Sequence, residues 1–202
     1  MIKALIFDLW DTIGSKGAAV SRGLQKQCKI PDYPGYIRDF EESVQLTPWH
    51  SKEDMARNFL QSFNIEQSDA NITFVISTFD KGIDYAKSFD GMKELLTSLS
   101  QNYQLGVLSN TNIFESCAIN KWGLESLFAA QSYSWQTGAL KPDKESFDDI
   151  CKKLNVDPSE CLFIDDCMKN VKAAQSYGFK TIKYENISQL RSELIRLGVH
   201  LD

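Results

Sequence analysis

The sequence has only two histidines, His50 and His200, and neither stands at metal-ligand spacing from a cysteine or the other histidine. That argues against a zinc site and against a histidine-based triad. The five cysteines (Cys28, Cys117, Cys151, Cys161 and Cys167) are scattered, odd in number and without a C-x-x-C pair, as expected of free thiols in a reducing cytosol. No apolar run is long enough to span a bilayer, and the first one is too short for a signal peptide because Asp8 interrupts it. A basic stripe is also missing: the formal net charge is -5, which argues against a nucleic-acid partner while leaving room for a local basic pocket. Low-complexity segments and internal repeats are absent. The expectation is a cytoplasmic chain with neither nucleic-acid nor membrane partners. Nothing in the sequence speaks to oligomeric state.

What is present is an ordinary globular composition, 43% hydrophobic and 24% charged over 202 residues. That length suits one core domain with an insertion. Near the start, Ala4 to Phe7 form a short apolar run that ends at Asp8. It reads as a buried parallel strand, and a carboxylate at its end would face a ligand crevice. Such a carboxylate can be a nucleophile, a metal ligand or simply the start of a turn.

After Thr12 and Ile13, the segment Gly14-Ser-Lys-Gly17 reads as a flexible connector. Residues from about Ala18 to Phe89 read as helices without a strand, broken by Pro31 and Pro34. Ser51 with Asp54 marks a helix start. Met55, Phe59, Leu60 and Phe63 make one helical stripe, and Ile72, Val75, Ile76, Phe79 and Ile83 another. From Asp90 the pattern becomes alternating strand and helix. Strands are expected at Gln104 to Leu108, Phe128 to Tyr133, Cys161 to Ile164 and Thr181 to Tyr184. The intervening helices include one around Phe114 to Lys121. The fold class is therefore α/β, a mostly parallel Rossmann-like sheet with an inserted helical segment.

The chemistry gathers where strands end. Asp8, Ser109-Asn110 and Asp165-Asp166 each close an apolar run, and Lys141 sits in a turn before a helix. In a parallel sheet these ends share one edge. Adjacent carboxylates there repel unless a cation compensates. A hard divalent ion shared with a substrate phosphate would do so, with lysine and hydroxyl groups holding the phosphoryl oxygens.

Four motifs in order resemble those of the haloacid dehalogenase superfamily, most of whose members are Mg²⁺-dependent phosphatases. They are Ile6-Phe7-Asp8-Leu9-Trp10-Asp11-Thr12, Val107-Leu108-Ser109-Asn110-Thr111-Asn112, Gly138-Ala-Leu-Lys141-Pro142-Asp143, and Phe163-Ile164-Asp165-Asp166 continuing through Asn170. The resemblance implies a five-stranded core over residues 1–14 and 90–202, with a helical cap over 15–89. It makes Asp8 the nucleophile that forms an aspartyl-phosphate. Ser109, Asn110 and Lys141 would hold the phosphoryl group. Mg²⁺ would be bound by Asp8, Asp166 and the carbonyl of Trp10, with Asn170 in the outer shell and Asp165 paired with Lys141. Thr12 and Asp11 are placed as supporting residues. The expected partner is a small phosphorylated metabolite such as a sugar phosphate.

One position departs from the pattern. Most phosphatases of the family carry a second Asp two residues after the nucleophile, which protonates the leaving group; here it is Trp10. Asp11 is next door, but in an extended segment a shift of one residue turns the side chain away. Three readings follow: a phosphatase working without that acid, a metal-independent dehalogenase, or a binding protein whose catalysis has faded. The acidic pair Asp165-Asp166 argues against the dehalogenase. Without an acid, rates should depend steeply on leaving-group pKa, unless Asp11 or an insertion residue such as His50 supplies one. Trp49, His50, Arg22 and Arg38 are the insertion residues singled out as able to reach the cleft.

Overall fold

The structure, a computed structural model, describes residues 1–201. Its first part runs β1 (Ala4–Phe7), β2 (Gly14–Ser15), α1 (Val20–Gln27), α2 (Tyr36–Gln45), α3 (Lys52–Ser62), α4 (Asp69–Asp84) and β3 (Lys87–Ser88). Then come α5 (Met92–Ser100), β4 (Gln104–Ser109), α6 (Ala118–Lys121), β5 (Ala130–Tyr133), α7 (Ser134–Thr137) and α8 (Lys144–Leu154). The chain closes with β6 (Cys161–Asp165), α9 (Met168–Ser176), β7 (Lys180–Lys183) and α10 (Ile187–Arg196).

Five strands form one parallel sheet in the order β5-β4-β1-β6-β7. All four residues of β1 are buried because helices cover both faces. Leu5 and Phe7 pack with Leu95, Leu99, Leu190 and Leu194 of α5 and α10. Ala4 and Ile6 pack on the other face with Phe147, Ile150 and Ala174 of α8 and α9. The alternation is the two-residue period of a strand. The chain starts in the middle of the sheet, builds outward through β4 and β5, and then crosses to β6 and β7. This reversal beside β1 opens a crevice beyond the carboxyl ends of β1, β4 and β6.

Helices α1 to α4 have an apolar cluster of their own, built from Leu24, Tyr36, Phe40, Val44, Met55, Phe59, Leu60, Val75 and Phe79. Burying each such large side chain contributes roughly 1.5–3 kcal/mol. The expected start of α3 is present, with Ser51 Oγ accepting from the Asp54 N–H at 3.0 Å.

The connector differs from expectation. Gly14–Ser15 pairs antiparallel with Lys87–Ser88, so the two crossings between sheet and insertion form a short ribbon. Gly14 is there for closeness, not flexibility: a Cβ would lie 2.4 Å from the Lys87 carbonyl and 2.6 Å from the Trp122 ring. The helix expected over 114–121 shrinks to Ala118–Lys121. Asn112 Oδ1 accepts from the N–H groups of Phe114 and Glu115, at 3.0 Å each, and holds the preceding residues in a turn.

Candidate active site

Asp8 follows β1, Ser109 ends β4 and Asp165 ends β6, so neighbouring strands deliver all three to one edge. The Asp8 N–H still donates to the Ile164 carbonyl at 2.9 Å, which fixes its backbone to β6. Lys141 enters from the turn before α8. Its Nζ donates to Asp8 Oδ1 at 2.6 Å and to Asp165 Oδ2 at 2.7 Å, and the lysine is only 4% exposed. Carboxylate oxygens of Asp8, Asp165 and Asp166 lie within 4.8 Å of one another.

Burial sets the electrostatics here. It pushes Asp8 up to about 7, with Lys141 pulling the other way. It also raises Asp166 to about 6, helped by the neighbouring charge of Asp165. Burial disfavours the charge on Lys141, but Asp165 and Asp8 more than offset it and the net shift is upward. Three carboxylates thus share one lysine, a donor set that suits a hard divalent cation.

Asp165 is fully committed within the protein. Besides Lys141 it accepts from the Cys167 N–H at 2.7 Å and from Asn170 Nδ2 at 3.0 Å. Asn170 therefore holds Asp165 directly. Asp166 keeps its carboxylate for the cleft while its N–H donates to Thr12 Oγ1 at 3.2 Å. Ser109 Oγ is buried and without a hydrogen-bond partner, an orphan that a bound phosphoryl oxygen would satisfy. Asn110 holds the Lys141 turn in place: its Oδ1 accepts from the Lys141 N–H at 2.7 Å, and its Nδ2 donates to the Lys141 carbonyl at 3.1 Å. Asp8, Trp10, Asp11, Ser109, Asn110, Lys141, Asp166 and Asn170 all line one cavity of about 480 Å³.

Asp11 corrects an expectation. The backbone is not extended there: Asp11 has φ of 58°, and it lines the cleft with Trp10 instead of turning away. A side chain at positive φ leaves the strand alternation on which the expectation rested. Trp10 is anchored by its Nε1, which donates to Thr111 Oγ1 at 3.1 Å, with Lys16 Nζ 4.8 Å from the ring centroid.

Of the insertion residues singled out, Arg38 lines the cleft, where its Nη2 donates to Asp143 Oδ2 at 2.8 Å. Trp49 packs against the insertion core with its Nε1 on the Val44 carbonyl at 2.9 Å, and Arg22 pairs with Asp32. His50 is exposed and is not among the residues lining the cleft.

Glu41 was not foreseen. It stands on α2, accepts from Asn110 Nδ2 at 3.3 Å, and lines both this cavity and an adjoining one of about 420 Å³. The second cavity is walled by Trp10, Val20, Ile37, Phe40 and Gln45, among others. The signal in the sequence was a second stripe, Ile37, Glu41 and Gln45 at i, i+4, i+8, beside the core stripe Tyr36, Phe40 and Val44.

Known proteins resemble this chain in sequence and in fold. A family model for haloacid dehalogenase-like hydrolases matches residues 2–178. Flavin mononucleotide hydrolase 1, a chloroplast protein of Arabidopsis thaliana, is 30% identical over 98% of this chain and 78% of its own length. D-ribitol-5-phosphate phosphatase of Bacteroides thetaiotaomicron is 32% identical over 50% of this chain and 52% of its own. Among solved structures, a HAD family enzyme from Bacteroides thetaiotaomicron in complex with magnesium and inorganic phosphate has a TM-score of 0.68 at 21% identity, covering 94% of this chain and 99% of that one. L-2-haloacid dehalogenase from Xanthobacter autotrophicus has a TM-score of 0.60 at 20% identity, covering 99% and 85%. At those identities the two structures speak to the fold alone. Among the described residues no helix is long and apolar enough to cross a membrane. The ordered motifs, the parallel sheet that delivers them to one edge and the match over most of its length together make this chain a member of the haloacid dehalogenase-like hydrolase family.

Proposed function

We propose that this hydrolase is a Mg²⁺-dependent phosphomonoesterase that acts on a small phosphorylated metabolite through an aspartyl-phosphate on Asp8. The observation that carries the reading is the cluster of Asp8, Asp165 and Asp166, with Lys141 bridging Asp8 and Asp165, in the cavity that the unpartnered hydroxyl of Ser109 also lines. Halide displacement needs no metal, so the retained acidic pair Asp165-Asp166 argues against it.

In this reading Asp8 attacks phosphorus and the ester oxygen departs. Lys141 favours the ionised form of Asp8 and meets the phosphoryl oxygens as a point charge, while Ser109 Oγ donates to them. Asn110 fixes the Lys141 turn at the right height. Asp8, Asp166 and the Trp10 carbonyl would hold the Mg²⁺. When bound, the ion neutralises charge shared between carboxylate and phosphate. Asn170 and the Cys167 N–H keep Asp165 turned toward Lys141, and Thr12 fixes the backbone of Asp166. Water then hydrolyses the aspartyl-phosphate and regenerates Asp8.

Residues 15–89 act as a cap over the core formed by 1–14 and 90–202, and the leaving group occupies the cavity between Trp10 and α2. The relatives named for flavin mononucleotide and for ribitol 5-phosphate put a nucleotide and a polyol phosphate on the test panel. The experiment is phosphate release from sugar phosphates, flavin mononucleotide, acyl phosphates and p-nitrophenyl phosphate, with Mg²⁺ or with EDTA, beside halide release from 2-chloropropionate. Mg²⁺-dependent phosphate release is expected. Halide release alone, or release indifferent to EDTA, would overturn the proposal.

A further inference from the structure

The departing alkoxide of an alkyl phosphate needs a proton, and Trp10 cannot give one. An indole N–H is not an acid at working pH, and this one is already held by Thr111. A carboxyl at the junction of the two cavities is placed to supply it. Trp10, Asp11, Ile37, Glu41 and Asn110 line both. Asp143 lines neither cavity and is engaged by Arg38. Asp11 also lines both cavities but is the more exposed of the two carboxyls that do so. Glu41 is more enclosed and lines the same cavity as Asp8 and Ser109, one hydrogen bond from Asn110.

The orientation of Glu41 is imposed by packing. Tyr36, Phe40 and Val44 are locked into the insertion core, which fixes the rotation of α2 and turns Ile37, Glu41 and Gln45 toward the cleft. The far end of the helix is tied to the sheet side, because Ser134 Oγ donates to the Gln45 carbonyl at 2.8 Å and accepts from the Thr111 N–H at 3.0 Å. A carboxyl carried by the insertion is thereby preset at the leaving-group side of the site.

Resting on the phosphatase reading, we propose that Glu41 is the proton donor and acceptor of the reaction, replacing from α2 the acid that the β1 loop lacks. As Asp8 Oδ bonds to phosphorus and the bond from phosphorus to the ester oxygen breaks, the Glu41 proton passes to that oxygen, giving the free alcohol and a Glu41 carboxylate. In the second half, water attacks the same phosphorus and the bond to Asp8 breaks. Glu41 takes the proton of that water and is restored. Burial raises the Glu41 carboxyl above its ordinary range, while Asn110, Lys141, Arg38 and Lys169 oppose the shift. Asp11 and Lys16 are the further charged groups lining the adjoining cavity.

The test is a leaving-group series, from p-nitrophenyl phosphate through phenyl phosphate to alkyl phosphates, at saturating Mg²⁺. Wild type, Glu41→Gln, Glu41→Asp and Asp11→Asn are compared. Gln preserves size and the contact with Asn110, and Asp preserves the acid with a shorter reach. Expected is a shallow dependence of kcat/KM on leaving-group pKa in wild type. Glu41→Gln should then lose about 10²–10⁴-fold on alkyl phosphates, with the loss shrinking steadily toward p-nitrophenyl phosphate. Glu41→Asp should fall between the two. A uniform loss across the series, no loss, or a selective loss in Asp11→Asn instead would overturn the assignment and leave the phosphatase reading standing. A wild type that releases phosphate from no ester overturns both.

Discussion

Lys141 is a buried charge shared between two buried carboxylates, and its removal can be worked through from the structure. Lys141→Met keeps the length of the side chain and deletes the ammonium. It breaks contacts of 2.6 and 2.7 Å to Asp8 and Asp165, which are 7% and 0% exposed. Leaving a buried charge without its partner costs about 3–5 kcal/mol. For a chain of this size, 1 kcal/mol moves the melting temperature by about 2–4 °C, so a fall on the order of 10 °C is expected at pH 8. The cost depends on pH. Asp8, pushed up to about 7, is protonated at pH 5 in either protein, so only the contact to Asp165 is lost there and the fall should be smaller. Without the lysine, Asp8 moves higher still and is largely protonated at neutral pH, which removes the nucleophile. The turnover loss should be at least about 10²–10³-fold, the scale of deleting one preorganised electrostatic donor. Thermal melts at pH 5 and pH 8, with kcat on p-nitrophenyl phosphate, measure all of this. A variant that melts with wild type at both pH values and keeps its kcat would refute the reasoning.

Asp8→Asn, kept free of deamidation, should abolish turnover and leave the circular dichroism unchanged; retained activity would remove Asp8 as nucleophile. Because Asp8 binds its proton more tightly folded than unfolded, its ionisation costs stability progressively as pH rises from about 4 toward 7. In EDTA the variant should therefore gain on wild type between pH 5 and pH 8, and equal pH dependence of the two melts would show that Asp8 is not strained. Mg²⁺ should stabilise wild type, more so at pH 8 than at pH 5 because Asp166 also loses its proton near pH 6, and should stabilise Asp8→Asn much less; no shift on adding Mg²⁺ would contradict the metal site. Ser109→Ala deletes a hydroxyl that has no partner within the protein, so its melting temperature should hold while kcat/KM falls about 10–100-fold, the worth of a hydrogen bond to a charged group; unchanged kinetics would place Ser109 outside the phosphate site.

The sequence by itself determined the sheet and the identity of its edge residues. Apolar runs that end in Asp8, Ser109 and Asp165 can be read locally, because a parallel strand is short, continuous and apolar and its polar stop is adjacent in the chain. The motif order then named Lys141, Asp166 and Asn170, and the structure brings them to one cavity. What it could not determine were properties that depend on distant chain. Gly14 looks like a hinge until Lys87 and Trp122 are placed against it. Asp11 looked turned away because alternation holds only while the backbone stays extended, and here it does not. Glu41 was one polar residue among several on an amphipathic helix. Which of its stripes faces the cleft was decided only when Tyr36, Phe40 and Val44 found Phe59 and Phe79 on other helices. A helix carries its own periodicity, but its rotation about its axis is fixed by what it packs against, and that partner lies elsewhere in the chain.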